Sequence, residues 1–332
     1  MNELLVRIDE RQLKLTNIDK VLWPDEGLTK GDLIRYYTAV ADRLLPHLKG
    51  RPLTLTRYPN GITGTMFYQK NLPAHAPDWL PTYTIGDPPV RFLLAEEPAT
   101  LVWLANLATI EIHPWMSTVD HPNNPDYAVI DLDPAEGTTW DDVVQIAELV
   151  RVLLRELGLE GFPKLSGASG IHIFVPLAAQ YTFAQTSAFV GFLGQLLARA
   201  YPEKATTERS VNKRYGKVYI DHLQNLPGKT IVAPYVPRPI PGAPVSVPVA
   251  WDELKEVSPR QFRLDQPQMM LQRPREFDTM YNLRQSLDAV LPLIDDNCCS
   301  LWFEPGTCAQ QRSCGDPPRR QDIGCGTTYS PI

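Results

Sequence analysis

The chain has 332 residues, of which 43% are apolar and 21% charged, and a formal net charge of −6. That balance supplies ample material for a buried core and excludes a disordered or fibrous chain. Glu3, Arg7, Asp9, Glu10, Arg11 and Lys14 break up the N-terminus, and no apolar run is long enough for a signal peptide or a membrane span, so the expected protein is cytoplasmic, with no membrane partner.

The acidic total argues against a uniformly nucleic-acid-coated surface but leaves room for local basic faces. Arg43, His47, Lys49, Arg51 and Arg57 form one cluster, and Lys204, Arg209, Lys213, Arg214 and Lys217 another. Either is a binding face or ordinary solvated surface. All five cysteines, Cys298, Cys299, Cys308, Cys314 and Cys325, fall in the last 35 residues, where hydrophobic periodicity also stops. The expected division is a folded domain over 1–297 and an irregular tail over 298–332 whose cysteine spacing matches no common zinc pattern.

In chain order, a short strand and turn precede Thr29, which with Asp32 forms a helix-opening capping box. Leu33, Tyr37, Val40, Ala41, Leu44 and Leu48 recur at helical spacing and predict one apolar face. Lys20 and Lys30 bracket that helix start, where ammonium groups and backbone donors suit a phosphate, although exposed lysines need no such role. A strand ending at Arg57 follows, and then Phe67 and Tyr68 beside Lys70. Adjacent strand residues face opposite ways, so one ring can pack inward while the other stays free for a nucleobase; core packing of both is the commoner outcome.

A helix is predicted from Pro98, and the alternating strand after it puts Glu111 and His113 on one face. In Tyr127-Ala-Val-Ile-Asp-Leu-Asp-Pro134, Val129, Asp131 and Asp133 share a face, the two acids about 7 Å apart at Cα by two strand rises. Two like charges at the end of an apolar strand call for a compensating cation, and a two-metal centre fits; solvated acids before a proline turn fit equally. A helix capped near Thr139 carries Val143, Ile146, Val150, Leu153 and Leu157 and stops at Gly158. Ser166-Gly-Ala-Ser169-Gly170-Ile-His172 is a Ser/Gly turn running into a strand, suited to close approach of phosphate oxygens or to a plain tight turn. Thr182 and Gln185 cap another helix, to about Ala200. Lys217, Tyr219 and Asp221 share a strand face, adding a third carboxylate at a strand end. Proline-rich residues 233–248 predict an extended, stiff connection over the surface rather than core.

Taken together, Ala128-Val-Ile-Asp-Leu-Asp-Pro, Ser166-Gly-x-x-Gly-x-His172 and Ile220-Asp-x-x-Gln-Asn225 resemble the polymerase domain of bacterial DNA ligase D, in the archaeo-eukaryotic primase superfamily. The resemblance runs from about Leu13 to Leu293. It implies an α/β fold of the primase type, with central, mainly antiparallel sheets flanked by helices. It also implies two Mn²⁺ or Mg²⁺ ions on Asp131, Asp133 and Asp221, with His113 near the metals and primer end. Ser166, Gly167, Ser169, Gly170, His172, Lys217, Gln224 and Arg238 become candidates for contact with the incoming nucleoside triphosphate. Lys20 and Lys30 match lysines that grip a 5′-phosphate, Phe67 or Tyr68 the aromatic at the template, and Arg57 and Lys70 are further candidate DNA contacts. Ser169 stands where the family usually has lysine, and Ile240 where a second arginine is common, which raises the question whether Lys164 substitutes.

The expected function is template-dependent nucleotide addition to DNA ends or gaps in non-homologous end joining, with ribonucleotides preferred. A Ku-type end-binding protein and a DNA ligase are the implied partners. Other readings are a stand-alone primase starting strands de novo, or a module that only aligns DNA ends.

Overall fold

The computed structural model describes residues 3–294. The chain divides into one unit, Met1–Leu291, which holds every strand and helix named below, and a remainder, Pro292–Ile332. The expected boundary at 297 and the cysteine tail lie outside the described residues.

Two hairpins open the chain, β1 (Glu3–Ile8) with β2 (Arg11–Thr16) and β3 (Val21–Trp23) with β4 (Leu28–Thr29). The Thr29–Asp32 capping box forms as expected, but the predicted helix is two, α1 (Lys30–Ala39) and α2 (Ala41–Leu48), broken at Val40. Its apolar stripe is nonetheless buried throughout, from Leu33 to Leu48.

The first five-stranded sheet holds β5 (Leu53–Arg57), β6 (Phe67–Gln69), β7 (Thr82–Ile85), β8 (Val90–Leu93) and β9 (Thr109–Pro114). Helix α3 (Pro98–Asn106) begins at its proline. The second sheet runs in the order β11 (Phe162–Leu165), β12 (Ile171–Pro176), β10 (Tyr127–Pro134), β14 (Val218–Asp221), β13 (Ala205–Thr206). Among the described strands every pairing is antiparallel except that of β13 with β14. This is the mixed fold with antiparallel sheets that the resemblance implies.

Helices α4 (Trp140–Glu156) and α5 (Phe183–Ala200) start at capping boxes on Thr139 and Thr182 and pack on the second sheet. In α4, Val143, Ile146 and Val150 are buried as predicted, with Leu154 rather than Leu153 completing the stripe. The spacing from Val150 to Leu154 is one full turn, which keeps the stripe on a single face. The other face of this sheet is apolar at one end, where Tyr127, Val129, Phe162 and Phe174 lie under Met116, Ile231, Phe277 and Met280. Toward its opposite end the same face turns polar, with Asp131, Lys164 and His172 all buried.

The proline-rich stretch 233–248 corrects the surface expectation, because Ala233, Tyr235, Val236, Val245, Ser246 and Val247 are all buried. Extended chain without its own ladder has to find hydrogen bonds piecewise when it enters a core. It does so against itself, Tyr235 N–H to the Ser246 carbonyl at 2.6 Å, and against the β11 edge, Leu165 N–H to the Val247 carbonyl at 2.9 Å. The stretch therefore closes an otherwise open edge strand. The Arg43 cluster is likewise no basic face: Arg43, His47 and Arg51 are buried, and Arg51 pairs with Asp126 at 2.6 Å.

Strand β14 pairs with β10 only over the stretch from Asp131 to Pro134. Beyond it the Asn225 side chain continues the ladder, its Oδ1 accepting from Val129 N–H at 2.8 Å and its Nδ2 donating to the Val129 carbonyl at 2.7 Å. Asn225→Ala is expected to leave two buried backbone groups unpaired and to lower stability by about 2–4 kcal/mol, read as a shifted urea midpoint. A midpoint close to wild type would show that water or a neighbour replaces the amide.

Candidate active site

Strand register builds the site. Lys164 lies opposite His172, His172 opposite Asp131, and Asp131 opposite Asp221, on four neighbouring strands. Residues directly opposite in a sheet point to the same face, so the four side chains form one row. Asp133 follows two residues along β10 on that face, with Tyr219 across from it. The three acids that the sequence placed at three points of the chain are therefore neighbours.

Asp131 is only 8% exposed, and its Oδ1 has no hydrogen-bond partner. Burial, then the carboxylates of Asp133 and Asp221, push its pKa well above the usual range. Asp133 is exposed, yet the surrounding protein and Asp221 raise it too. Asp221 accepts from Leu223 N–H at 2.9 Å and from the Tyr219 hydroxyl at 3.2 Å. Carboxylate oxygens are the hard donors that Mn²⁺ or Mg²⁺ would take. Among the described residues no three His, Cys, Asp or Glu side chains already stand as a metal-ligating group, so side-chain rotation would accompany binding.

His172 Nε2 lies 3.4 Å from Asp131 Oδ1, and Lys164 Nζ is 2.8 Å from His172 Nδ1 and 2.5 Å from Ser246 Oγ. Burial, then neighbouring Lys164 and Arg238, drive the His172 pKa well down, so the ring is neutral. Burial, then Arg238, also drives Lys164 well down. Lys164 is completely buried while Ser169 is exposed on the loop. Lys164 thus braces His172 from behind and does not fill the place left by Ser169.

The Ser/Gly loop is folded around Ser166, whose Oγ accepts from Ala168 N–H at 3.1 Å and Gly170 N–H at 3.0 Å. Gly167 has φ of 75°, and a Cβ there would stand 2.8 Å from Ser246 N. Arg238 Nη1 donates to the Ser166 carbonyl at 2.6 Å, and its Nε donates to Glu111 Oε1 at 2.8 Å. Glu111 Oε2 lies 3.4 Å from His113 Nε2, and Thr56 Oγ1 is 3.3 Å from the same nitrogen. Arg238 therefore joins the loop of the second sheet to β9 of the first. Sequence alternation put Glu111 on the face of His113 but assigned it no role.

The remaining candidates scatter. Gln224 Nε2 is bonded to the Thr230 carbonyl at 2.5 Å. Lys217 lines a surface cleft with Thr206 and Arg209 beside β13. Lys20 is exposed, its Nζ 2.9 Å from Asn60 Oδ1. Lys30 is buried, with its ammonium on Asn106 O at 2.9 Å, Asn106 Oδ1 at 3.1 Å and Thr16 Oγ1 at 3.4 Å. An ammonium has three donors, so reaching a phosphate would mean giving up these bonds. Arg57 is half-buried on the Leu107 carbonyl and Gln69 Oε1. Phe67 and Tyr68 are 51% and 57% exposed, so neither ring packs inward, and Lys70 Nζ lies 5.8 Å from the Tyr68 ring centre.

A family model described as the LigD primase-polymerase domain matches residues 29–277. The chain belongs to this family. It is 36% identical over 256 residues to the bifunctional non-homologous end joining protein LigD of Bacillus subtilis, covering 76% of this chain and 41% of that protein. The multifunctional non-homologous end joining protein LigD of Mycolicibacterium smegmatis is 36% identical over 290 residues, 86% of this chain and 37% of that one. The chain thus spans about two fifths of the length of these curated relatives. Among solved structures, the polymerase domain of Mycobacterium tuberculosis ligase D in complex with DNA superposes with a TM-score of 0.74 at 33% identity, covering 78% of this chain and 94% of that one. The family is that of primase-polymerase domains, which are nucleotidyltransferases. Among the described residues no helix is long and apolar enough to cross a membrane.

Proposed function

We propose that the chain adds nucleotides, ribonucleotides in preference, to DNA ends or gaps in non-homologous end joining, by templated phosphoryl transfer. The observation that carries this reading is the buried Asp131 carboxylate, unpartnered at Oδ1, with Asp221 directly across the ladder and Asp133 beside it. Such a cluster is unfavourable by itself and becomes favourable around divalent cations.

Asp131, Asp133 and Asp221 would hold two Mn²⁺ or Mg²⁺ ions, which would supply a lowered pKa at the primer 3′-hydroxyl and neutralise triphosphate charge. The protein's own groups bind and orient. The free edge of Arg238, Ser166, Ser169 and the loop backbone around Gly167 and Gly170 meet phosphate oxygens, neutral His172 donates through Nε2–H with Lys164 fixing its other nitrogen, and His113 faces the primer end. Lys217 and Gln224 sit near β14, further from this centre. Exposed Phe67 and Tyr68 offer stacking surfaces for template bases, with Lys70 and Arg57 nearby, and Lys20 offers the more accessible of the two phosphate-binding ammonium groups. A Ku-type protein and a ligase module would complete the repair reaction, and the site of action would be the cytoplasm, on the nucleoid.

The test is addition to a gapped duplex carrying a 5′-phosphate, with Mn²⁺, comparing each NTP with its dNTP. Expected are templated products, a higher kcat/KM for NTPs, and a 5′-phosphate advantage that disappears in Lys20→Ala. No addition by folded, DNA-binding protein would leave an end-alignment module. Synthesis on an unprimed circle would instead make it a primase.

A further inference from the structure

We propose that Glu111 is a positioning residue for nucleotide binding: its buried carboxylate aims the Arg238 guanidinium at the nucleotide and ties the Ser/Gly loop to His113 on the other sheet. The proposal rests on the polymerase reading, in which Arg238 meets the triphosphate.

Both oxygens of Glu111 are engaged, and by different partners. Oε1 accepts from Arg238 Nε at 2.8 Å, and Oε2 lies 3.4 Å from His113 Nε2, with the residue only 7% exposed. Burial pushes this carboxyl up, but the hydrogen bond and charge of His113 and then of Arg238 outweigh it and hold it below the usual value. The group is therefore an anion at neutral pH, enclosed between two basic side chains.

Arg238 is held from both sides of its guanidinium, at Nε by Glu111 and at Nη1 by the Ser166 carbonyl at 2.6 Å. A guanidinium is planar, so two fixed nitrogens determine its plane and leave the Nη2 edge to bind an anion in one orientation. Its backbone is fastened separately, N–H to the Pro244 carbonyl at 2.7 Å and carbonyl from the Trp23 indole N–H at 3.4 Å. Glu111 thus governs where the side chain points, not whether the segment folds. The two sheets share no ladder. The backbone of residues 233–247 bonds to both, Ala233 N–H to the Ile112 carbonyl at 3.1 Å and Leu165 N–H to the Val247 carbonyl at 2.9 Å. The contacts from His113 through Glu111 and Arg238 to Ser166 add a side-chain link that orients the primer side against the nucleotide side. A misplacement of about 1 Å across such a gap is enough to lower a transfer rate by orders of magnitude.

Glu111→Gln keeps the volume but removes the charge and offers one carbonyl oxygen where two donors point. Binding of GTP with Mn²⁺ is measured by equilibrium titration, nucleotide addition by KM and kcat, and affinity for the gapped duplex separately. All are repeated in an Arg238→Gln background. Expected is a rise in nucleotide Kd and KM of roughly ten-fold, the scale of one charge-assisted hydrogen bond, with duplex affinity unchanged and no further loss when Arg238 is already Gln. A Kd change below about two-fold, or an equal loss in both backgrounds, would overturn the proposal, since a purely structural defect acts whatever residue 238 is. Wild type that binds GTP yet adds nothing would sink the polymerase reading while leaving the Kd comparison intact.

Discussion

Asp131→Asn is expected to abolish nucleotide addition, by about 10³-fold or more, while raising the melting temperature of the metal-free protein. The wild-type carboxylate is buried beside Asp133 and Asp221, and its Oδ1 has no hydrogen bond. Burial and those two neighbours raise its pKa when folded. A group whose folded pKa exceeds its unfolded one stabilises the fold in acid and loses that contribution as pH rises through the folded value. At neutral pH the acid is therefore a liability that the uncharged amide removes. Mn²⁺ reverses the comparison, because an ion that binds only the folded state at a hundred times its Kd adds about 2.7 kcal/mol. Thermal denaturation of both proteins from acid to neutral pH, with and without Mn²⁺, separates the two effects. If metal-free Asp131→Asn melted below wild type at neutral pH, Lys164 and Arg238 would already compensate the acid, and the two-metal reading would lose its motive.

The second large effect is expected at Gly170, the last residue before β12. A Cβ there would fall within van der Waals contact of the Leu132 carbonyl oxygen and 3.5 Å from Pro134 Cδ. Leu132 lies between Asp131 and Asp133 on β10, paired with both neighbouring strands. A ladder oxygen cannot swing aside like a long side chain, so Gly170→Ala must push β12 away from β10 where His172 faces Asp131. Overpacking of this kind costs about 1–3 kcal/mol, and a shift near 1 Å at the reacting groups lowers the rate on the order of 10²-fold. Gly228→Ala is the control: φ is 76° there but nothing lies within 4 Å, so it should cost about 1 kcal/mol of strain and leave activity alone. Equal urea midpoints for the two variants, with Gly170→Ala fully active, would contradict the argument.

Local rules read from the sequence carried far where the determinants were local. Strand alternation put Asp131 with Asp133, and Asp221 with Tyr219, on shared faces, and register then brought those faces together. Capping boxes at Thr29, Thr139 and Thr182 all formed, because each needs only residues three apart. The same reasoning failed for residues 233–248, where proline content suggested surface but backbone bonds to β11 made burial tolerable. It failed also for Phe67 and Tyr68, since nothing local says whether a β6 ring has a neighbour to pack on.

What the sequence by itself determined was the chemistry available: three carboxylates at strand ends, a Ser/Gly turn with its histidine, and the helices that cover one face of their sheet. Tertiary structure alone decided which of these groups meet and which are spent. Lys30 turns inward onto Asn106, Lys164 disappears behind His172, and Glu111 finds Arg238, 127 residues away. Spacing along a strand or helix fixes side-chain direction through backbone geometry, but a contact across that separation depends on how two sheets pack, and no short-range pattern encodes it.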